Sequence, residues 1–137
     1  AHQREFDGDV WIIPGERMKA NREHRVPLSK QAQAIVSKRP IGDGWLFSAD
    51  GRSRPLSSMA LAMQLRRMDM GHVTLHGFRS SFRDWCAECT NYPREVCEHA
   101  LAHQLPDKVE AAYMRSDLLN KRRALMAEWA NFCYSAG

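Results

Sequence analysis

The sequence has few cysteines, no long apolar run and no internal repeat. Its four cysteines, Cys86, Cys89, Cys97 and Cys133, are too few and too irregularly spaced for the disulfide framework of a small secreted domain. No stretch approaches the roughly 18 consecutive apolar residues that a transmembrane helix needs. We therefore expect a soluble protein of a reducing cytoplasm, without a membrane segment.

The excess of positive charge is small. The 137 residues include 20 Lys and Arg against 16 Asp and Glu, which gives a formal net charge of +4. This charge is compatible with a nucleic-acid partner but does not establish one. Hydrophobic residues make up 44% of the chain, so it can bury a core and is not a disordered segment.

A β-hairpin is predicted near the start of the chain. Residues 10–13 and 25–28 have the composition of two short strands. The polar stretch 14–23 between them contains Pro14 and Gly15, which favour turns, together with several basic residues. We therefore expect two strands joined by a long basic tip.

Helices with capping residues are predicted next. Ser29 can cap a helix that ends before residue 40. Ser57 or Ser58 can cap a second helix that runs to residue 70 and is closed by Gly71. Between them, residues 45–47 predict a short buried strand.

The following helix has two distinct faces. Its apolar stripe contains Phe78, Phe82, Trp85, Cys86 and Cys89. On a neighbouring face, His76 and Arg79 are one turn apart, which places their Cβ atoms about 5 to 6 Å from each other. An arginine beside an apolar stripe is partly desolvated, and this strengthens its hold on a phosphate.

Three more helices are expected after residue 92. Pro93 suits the first turn of one helix, and His103 falls at its carboxyl end, where the helix dipole favours a protonated imidazole. Asp107 can cap a short helix that carries Tyr113. Asp117 can cap the last helix. Its broad apolar face favours docking on the body of the chain over docking on another subunit, whereas Lys121, Arg122, Arg123 and Glu128 are expected on its polar side.

A set of short motifs occurs in a specific order along the chain. The motifs are Trp11-Ile12-Ile13-Pro14, Met18-Lys19, His24-Arg25-Val26-Pro27-Leu28, His76-Gly77-Phe78-Arg79, Leu101-Ala102-His103 and Tyr113. Each motif alone is weak, but their order and spacing together are specific. From Trp11 to about Cys133 the chain resembles the tyrosine recombinases, or phage integrases, and in particular those of prophages and genomic islands.

The resemblance implies a fold and a domain assignment. The fold would be α+β and mostly helical, with a small amino-terminal hairpin or sheet packed on a helical bundle, as in the catalytic domain of that family. Residues 1–137 would be a fragment of this carboxyl-terminal domain, without the upstream DNA-binding domains. The first of the family's two catalytic arginines would also lie upstream, because Arg4-Glu5 has no helical or apolar context and Arg4 is not a substitute. The isolated fragment would cleave DNA poorly or not at all.

The resemblance also implies a role for five residues. Tyr113 would attack a DNA phosphate and form a 3′-phosphotyrosyl link, while Arg79 and His103 would bind the phosphate oxygens. His76 would be the accompanying base or hydrogen-bond donor, and Lys19 the general acid that protonates the departing 5′ oxygen. This scheme requires no metal and no cofactor.

Elementary chemistry agrees with these roles. A tyrosine is a weak nucleophile by itself, because its phenol has a pKa of about 10. Attack on a phosphodiester places charge on oxygens whose geometry the donors of arginine match. A positioned ammonium can accelerate departure of the leaving oxygen by roughly 10² to 10⁴-fold.

The implied function is site-specific recombination that integrates and excises prophages or genomic islands. The partner would be double-stranded DNA at attachment sites, bound by a tetramer that is associated with the bacterial nucleoid and can exchange its carboxyl-terminal helix. The residues expected to contact DNA phosphates are Arg17, Arg22, Arg25, Arg66, Arg67 and Arg83.

Two alternatives remain open from the sequence. The chain could be a DNA-binding module without catalytic activity, since basic residues can bind phosphates without reading sequence. It could, with less support, be a zinc module, because Cys86 and Cys89 have the spacing of a ligand pair and are followed by Cys97, His99 and His103. Against zinc, Cys86 and Cys89 fall on the apolar stripe, where cysteine acts as a small hydrophobic residue.

Overall fold

The computed structural model describes residues 1–39, 43–50, 53–103 and 116–135. Within these ranges it has an antiparallel sheet of three strands, β1 (Phe6–Asp7), β2 (Val10–Ile13) and β3 (His24–Pro27). It also has five α-helices, α1 (Lys30–Ser37), α2 (Ala60–Arg67), α3 (Leu75–Cys89), α4 (Arg94–Ala100) and α5 (Leu119–Ser135). The predicted α+β class with a small amino-terminal sheet is confirmed. No helix of the described ranges is long and apolar enough to cross a membrane.

The predicted hairpin is present. Strands β2 and β3 pair antiparallel, with Trp11 opposite Val26. The expectation that no helical or apolar context precedes Trp11 is wrong. A single 3₁₀ turn, Gln3–Glu5, leads into β1, and the ring of Phe6 stacks on Trp11 with centroids 6.0 Å apart. The indole N–H of Trp11 donates to Glu5 Oε2 at 2.9 Å, which holds this turn against the sheet.

The helix boundaries follow local capping, and one of two predictions is confirmed. Ser29 Oγ accepts the N–H of Ala32 and caps α1 as expected. By contrast, α2 begins after Met59 without a side-chain cap from serine. It closes at Asp69, whose φ of 59° is left-handed, rather than at Gly71. The Met70 N–H donates to the Leu65 carbonyl at 2.8 Å, the hydrogen bond of a Schellman motif, and the helix ends at Arg67, three residues before the predicted end.

The predicted strand at residues 45–47 does not form. Trp45 makes an isolated β-bridge to His2, and their rings meet edge to face at 5.4 Å. Leu46 is buried, but Phe47 is 40% exposed. The segment forms no longer strand because it pairs with the first residues of the chain rather than with the sheet.

The core lies between α3, α4 and α5. It consists of Phe82, Trp85, Cys86, Val96, Cys97 and Leu125. The predicted stripe on α3 is thus correct in its centre and wrong at its ends, where Phe78 and Cys89 are exposed. Both lie beyond the part of α3 that packs against Val96 and Leu125. The ring of Trp129 contacts Trp85 with centroids 5.1 Å apart, so α5 docks within the chain, as expected.

Arg122 was expected on the polar side of α5, and this prediction is wrong. Its side chain is 1% exposed. Its Nη1 donates to the Arg25 carbonyl at 2.6 Å, and its Nε donates to the Asp117 carbonyl at 2.7 Å. Its Nη2 lies 3.2 Å from Asp117 Oδ2, which also accepts from Arg25 Nε at 2.7 Å. We call these three residues the Arg122 anchor; they fasten the start of α5 to β3.

Candidate functional site

Arg79 and His103 are in direct contact, although 24 positions separate them in sequence. Arg79 Nη2 donates to His103 Nε2 at 2.7 Å and to the Leu101 carbonyl at 2.7 Å. Arg79 lies on the second turn of α3 and His103 just beyond α4. The packing of α3 on α4 therefore brings together two of the five residues that the resemblance nominated.

The end of α4 sets the position of His103. Ala102 has a left-handed φ of 54°, and its N–H donates to the His99 carbonyl at 3.1 Å. The His103 N–H donates to the Glu98 carbonyl at 2.9 Å, which completes a Schellman motif. His103 thus lies at the carboxyl end of a helix, as predicted, and its side chain folds back along α4.

Glu98 is the residue of this site that the sequence did not reveal. His103 Nδ1 lies 2.6 Å from Glu98 Oε2, while Arg83 Nη2 lies 3.2 Å from Oε1. Arg94 Nε is 3.8 Å from the same Oε1. Glu98 is only 8% exposed. The one available signal in the sequence was that Glu98 directly follows two core residues of α4, which suggests that its carboxylate is buried. A buried carboxylate needs cationic partners.

The charge of this cluster is positive. Arg79, Arg83 and Arg94 contribute three positive charges against the one negative charge of Glu98, a balance of +2 when His103 is neutral. Among the described residues, the Nε and Nη1 groups of Arg79 have no hydrogen-bond partner. The arrangement can therefore bind an oxyanion through donors that the described residues leave unused.

The remaining nominated residues are placed differently. His76 is exposed on the first turn of α3, where Thr74 Oγ1 caps the helix by accepting from Gly77 N–H at 3.0 Å. Lys19 is exposed in the connection between β2 and β3. Within the described ranges, neither side chain forms a hydrogen bond to Arg79 or His103. Tyr113 and Asp107 lie outside the described residues.

Three of the six arginines expected to contact DNA are in ion pairs. Arg17 Nη1 lies 3.0 Å from Glu5, Arg25 Nη2 lies 2.7 Å from Asp117, and Arg83 is held by Glu98. The other three, Arg22, Arg66 and Arg67, are exposed. The Arg17 side chain is 35% exposed, whereas that of its partner Glu5 is only 10% exposed.

The cysteines do not gather as metal ligands. The described part of the chain contains no group of three or more His, Cys, Asp and Glu side chains placed to hold a metal ion. Cys86 and Cys97 are buried in the core, whereas Cys89 is exposed. Burial, followed by the proximity of Cys97, raises the pKa of Cys86 to about 12, which disfavours the thiolate that zinc requires.

Three known proteins show what the chain is similar to. It is 38% identical to the prophage integrase IntA of Escherichia coli strain K12, over 96% of this chain and 33% of that protein. It is 34% identical to prophage integrase IntZ of the same strain, over 87% of this chain and 30% of that protein. It is 32% identical to the integrase of Enterobacteria phage P4, over 93% of this chain and 34% of that protein.

The chain thus spans about a third of the length of these curated relatives. No family model matches it, and no solved structure matches it at a significant level. The similarity nevertheless extends over nearly all of its residues and includes the α3–α4 region that carries Arg79 and His103. The chain belongs to the phage integrase family.

Proposed function

We propose that this chain is the catalytic part of a tyrosine-type DNA strand transferase that acts in site-specific recombination. The observation that carries the proposal is the contact between Arg79 and His103, in a positively charged cluster, in a chain related to integrases. The fold would be that of the tyrosine recombinase catalytic domain. The full-length protein would supply the DNA-binding domains and the first catalytic arginine, while Arg4 lies exposed in the amino-terminal 3₁₀ turn.

Arg79 would clamp the scissile phosphate. Its guanidinium is exposed and uses only Nη2 within the described residues. Its Nε and Nη1 donors can therefore form parallel hydrogen bonds to two non-bridging oxygens. Because charge accumulates on these oxygens as the nucleophile attacks, such bonds strengthen in the transition state and lower the barrier.

Tyr113 would be the nucleophile. Its phenolate oxygen forms a bond to phosphorus while the bond from phosphorus to the 5′ oxygen breaks. The departing oxygen would take a proton from Lys19, and His76 would either accept the phenolic proton as a base or donate a hydrogen bond to the same phosphate. The 3′-phosphotyrosyl link conserves one phosphoester bond for rejoining when a 5′ hydroxyl attacks it. Acid catalysis of this kind contributes roughly 10² to 10⁴-fold.

The assembly would be a tetramer on double-stranded attachment sites, with Arg22, Arg66 and Arg67 among the phosphate contacts. In this structure, α5 buries Leu125 completely against its own chain. An exchanged helix would place the same face on a neighbouring subunit. The protein would integrate and excise a prophage or genomic island at the bacterial nucleoid.

A suicide substrate tests the proposal. The full-length protein is incubated with attachment-site DNA that carries a nick near the cleavage position, so that cleaved strands remain covalently attached. We expect adducts with the wild type and with Tyr134→Phe, a control on the exposed end of α5. We expect none with Tyr113→Phe, because the attacking oxygen is missing. Adducts with Tyr113→Phe would overturn the proposal, and DNA binding without adducts by the wild type would favour the non-catalytic module.

A further inference from the structure

Glu98 stands at the centre of the α3–α4 cluster, yet the proposed chemistry gives it no part. We propose that Glu98 is a positioning residue that selects the tautomer and ring orientation of His103. Its carboxylate accepts the Nδ1–H of His103 and so presents Nε2 to Arg79 and to the phosphate that binds there. The catalytic consequence rests on the proposed function, whereas the tautomer is a property of the chain itself.

The hydrogen-bond geometry determines the tautomer. A guanidinium carries five N–H donors and no acceptor. Because Arg79 Nη2 lies 2.7 Å from His103 Nε2, this ring nitrogen accepts the hydrogen bond. The proton of the neutral ring is therefore on Nδ1, which lies 2.6 Å from Glu98 Oε2 and donates to it. Arg79 at Nε2 and the Glu98 carboxylate at Nδ1 thus each favour the same tautomer, and Glu98 still does so when Arg79 turns to a phosphate.

Glu98 can impose this choice because it is itself fixed. It is 8% exposed, and its Oε1 is held by Arg83 at 3.2 Å, which leaves Oε2 for His103. Its backbone carbonyl also accepts the N–H of His103 at 2.9 Å. The ring of His103 is therefore attached to one residue at two points, by the backbone turn and by the side chain.

The same contact matters when a phosphate binds. Arg79 then donates to phosphate oxygens, and Nε2 of His103 can bond the anion only if it carries a proton. The Nδ1–H would stay on Glu98, so the ring would keep its orientation towards the phosphate. The described groups around this ring are Arg79 and Arg83 on α3 and Glu98 and Arg94 on α4. Glu98 is the one anion among them.

Nitrogen-15 NMR of the histidine rings in the 137-residue chain tests the tautomer directly. In the wild type, we expect His103 to carry its proton on Nδ1. In an Arg79→Ala background, where the donor to Nε2 is removed, Glu98→Ala should lose this selection and Glu98→Gln should retain it through the amide oxygen. Glu95→Ala is the matched control, since Glu95 lies on the same helix but acts on His99. A wild-type ring protonated on Nε2, or an unchanged tautomer when Glu98→Ala is added to Arg79→Ala, would overturn the inference. If a variant does not fold, the wild-type spectrum still tests whether the proton of His103 is on Nδ1.

The suicide-substrate assay with the full-length protein tests the catalytic consequence. Glu98→Ala should slow adduct formation on the order of 10- to 100-fold, the usual effect of removing a partner that orients a functional histidine. Glu95→Ala should leave it unchanged. Equal rates for wild type and Glu98→Ala would refute the positioning role while leaving the strand-transferase proposal intact. Adducts with Tyr113→Phe would refute the latter and leave the tautomer result standing.

Discussion

Two of the clusters in which arginine meets a carboxylate, the Arg122 anchor and the α3–α4 cluster, differ in how many arginine donors remain free within the described residues. In the Arg122 anchor, Nε, Nη1 and Nη2 of Arg122 are all engaged by Asp117 and by the Arg25 carbonyl, and the residue is 1% exposed. In the α3–α4 cluster, Arg79 is exposed and uses Nη2 alone within the described residues.

The difference separates a structural arginine from one that can bind a ligand. A buried charge must have all its hydrogen bonds made within the protein, and removing its partners is costly. An exposed arginine that keeps free donors can exchange water for an anion. Arg122 therefore stabilises the fold, whereas Arg79 keeps donors that the described residues do not occupy, although both occur among basic residues of similar appearance in the sequence.

The largest expected effect is loss of stability when the anchor is broken. Arg122→Ala leaves the Arg25 and Asp117 carbonyls without their donor and opens a cavity between β3 and α5. We expect a decrease in the free energy of unfolding of about 3–5 kcal/mol, measured by urea denaturation. Lys121→Ala, at the exposed neighbouring position, should change it by less than about 0.5 kcal/mol. Equal stability of the two variants would remove the distinction between the clusters.

Arg79→Ala should show the reverse pattern. Loss of one preorganised donor to a developing oxyanion costs about 2.7–4 kcal/mol of barrier, so adduct formation by the full-length protein should slow by about 10² to 10³-fold. Because Arg79 is exposed, the free energy of unfolding should change by less than about 0.5 kcal/mol. If Arg79→Ala is strongly destabilised yet cleaves DNA normally once folded, Arg79 stabilises the fold in the way that Arg122 does.

A smaller effect on the free energy of unfolding is expected from pH, and it should come from two histidines that sense the charge of Arg122. Burial, followed by the positive charge of Arg122, lowers the pKa of both His24 and His99 below the ordinary value of 6.5. The unfolded chain then binds more protons than the folded chain between the lowered values and 6.5. Stability should therefore fall as the pH decreases through 6.5 and downward.

Urea denaturation at pH 7.5 and at successively lower pH would measure this dependence. The double substitution of His24 and His99 by Gln should make it shallower, even if the variant is less stable at every pH. An unchanged slope would show that these two histidines are not the source.

Local patterns in the sequence predicted much of the fold. The strands β2 and β3 and the cap of α1 by Ser29 depend on neighbouring residues and were located to within one residue. The closure of α2 was misplaced because Asp69 adopts a left-handed φ that favours glycine. The burial of Arg122 could not be predicted, since it depends on β3, which lies 97 positions away.

The candidate site likewise has features that local sequence patterns predict and one that depends on a contact between helices. The spacing of His76 and Arg79 and the position of His103 after a helix follow from periodicity and motif order. The carboxylate of Glu98 acts only because α3 brings Arg83 to it, a contact between helices that no local pattern records. The catalytic roles of Tyr113, Arg79, His76, His103 and Lys19 all stay predictions.

The most direct test is to identify the residue that becomes attached to DNA. The adduct trapped on the nicked substrate by the full-length protein would be digested with protease and nuclease, and the modified peptide would be sequenced by mass spectrometry. We predict a nucleotide joined through its 3′ phosphate to the phenolic oxygen of Tyr113. Attachment to any other residue, or cleavage without a covalent adduct, would contradict the assignment.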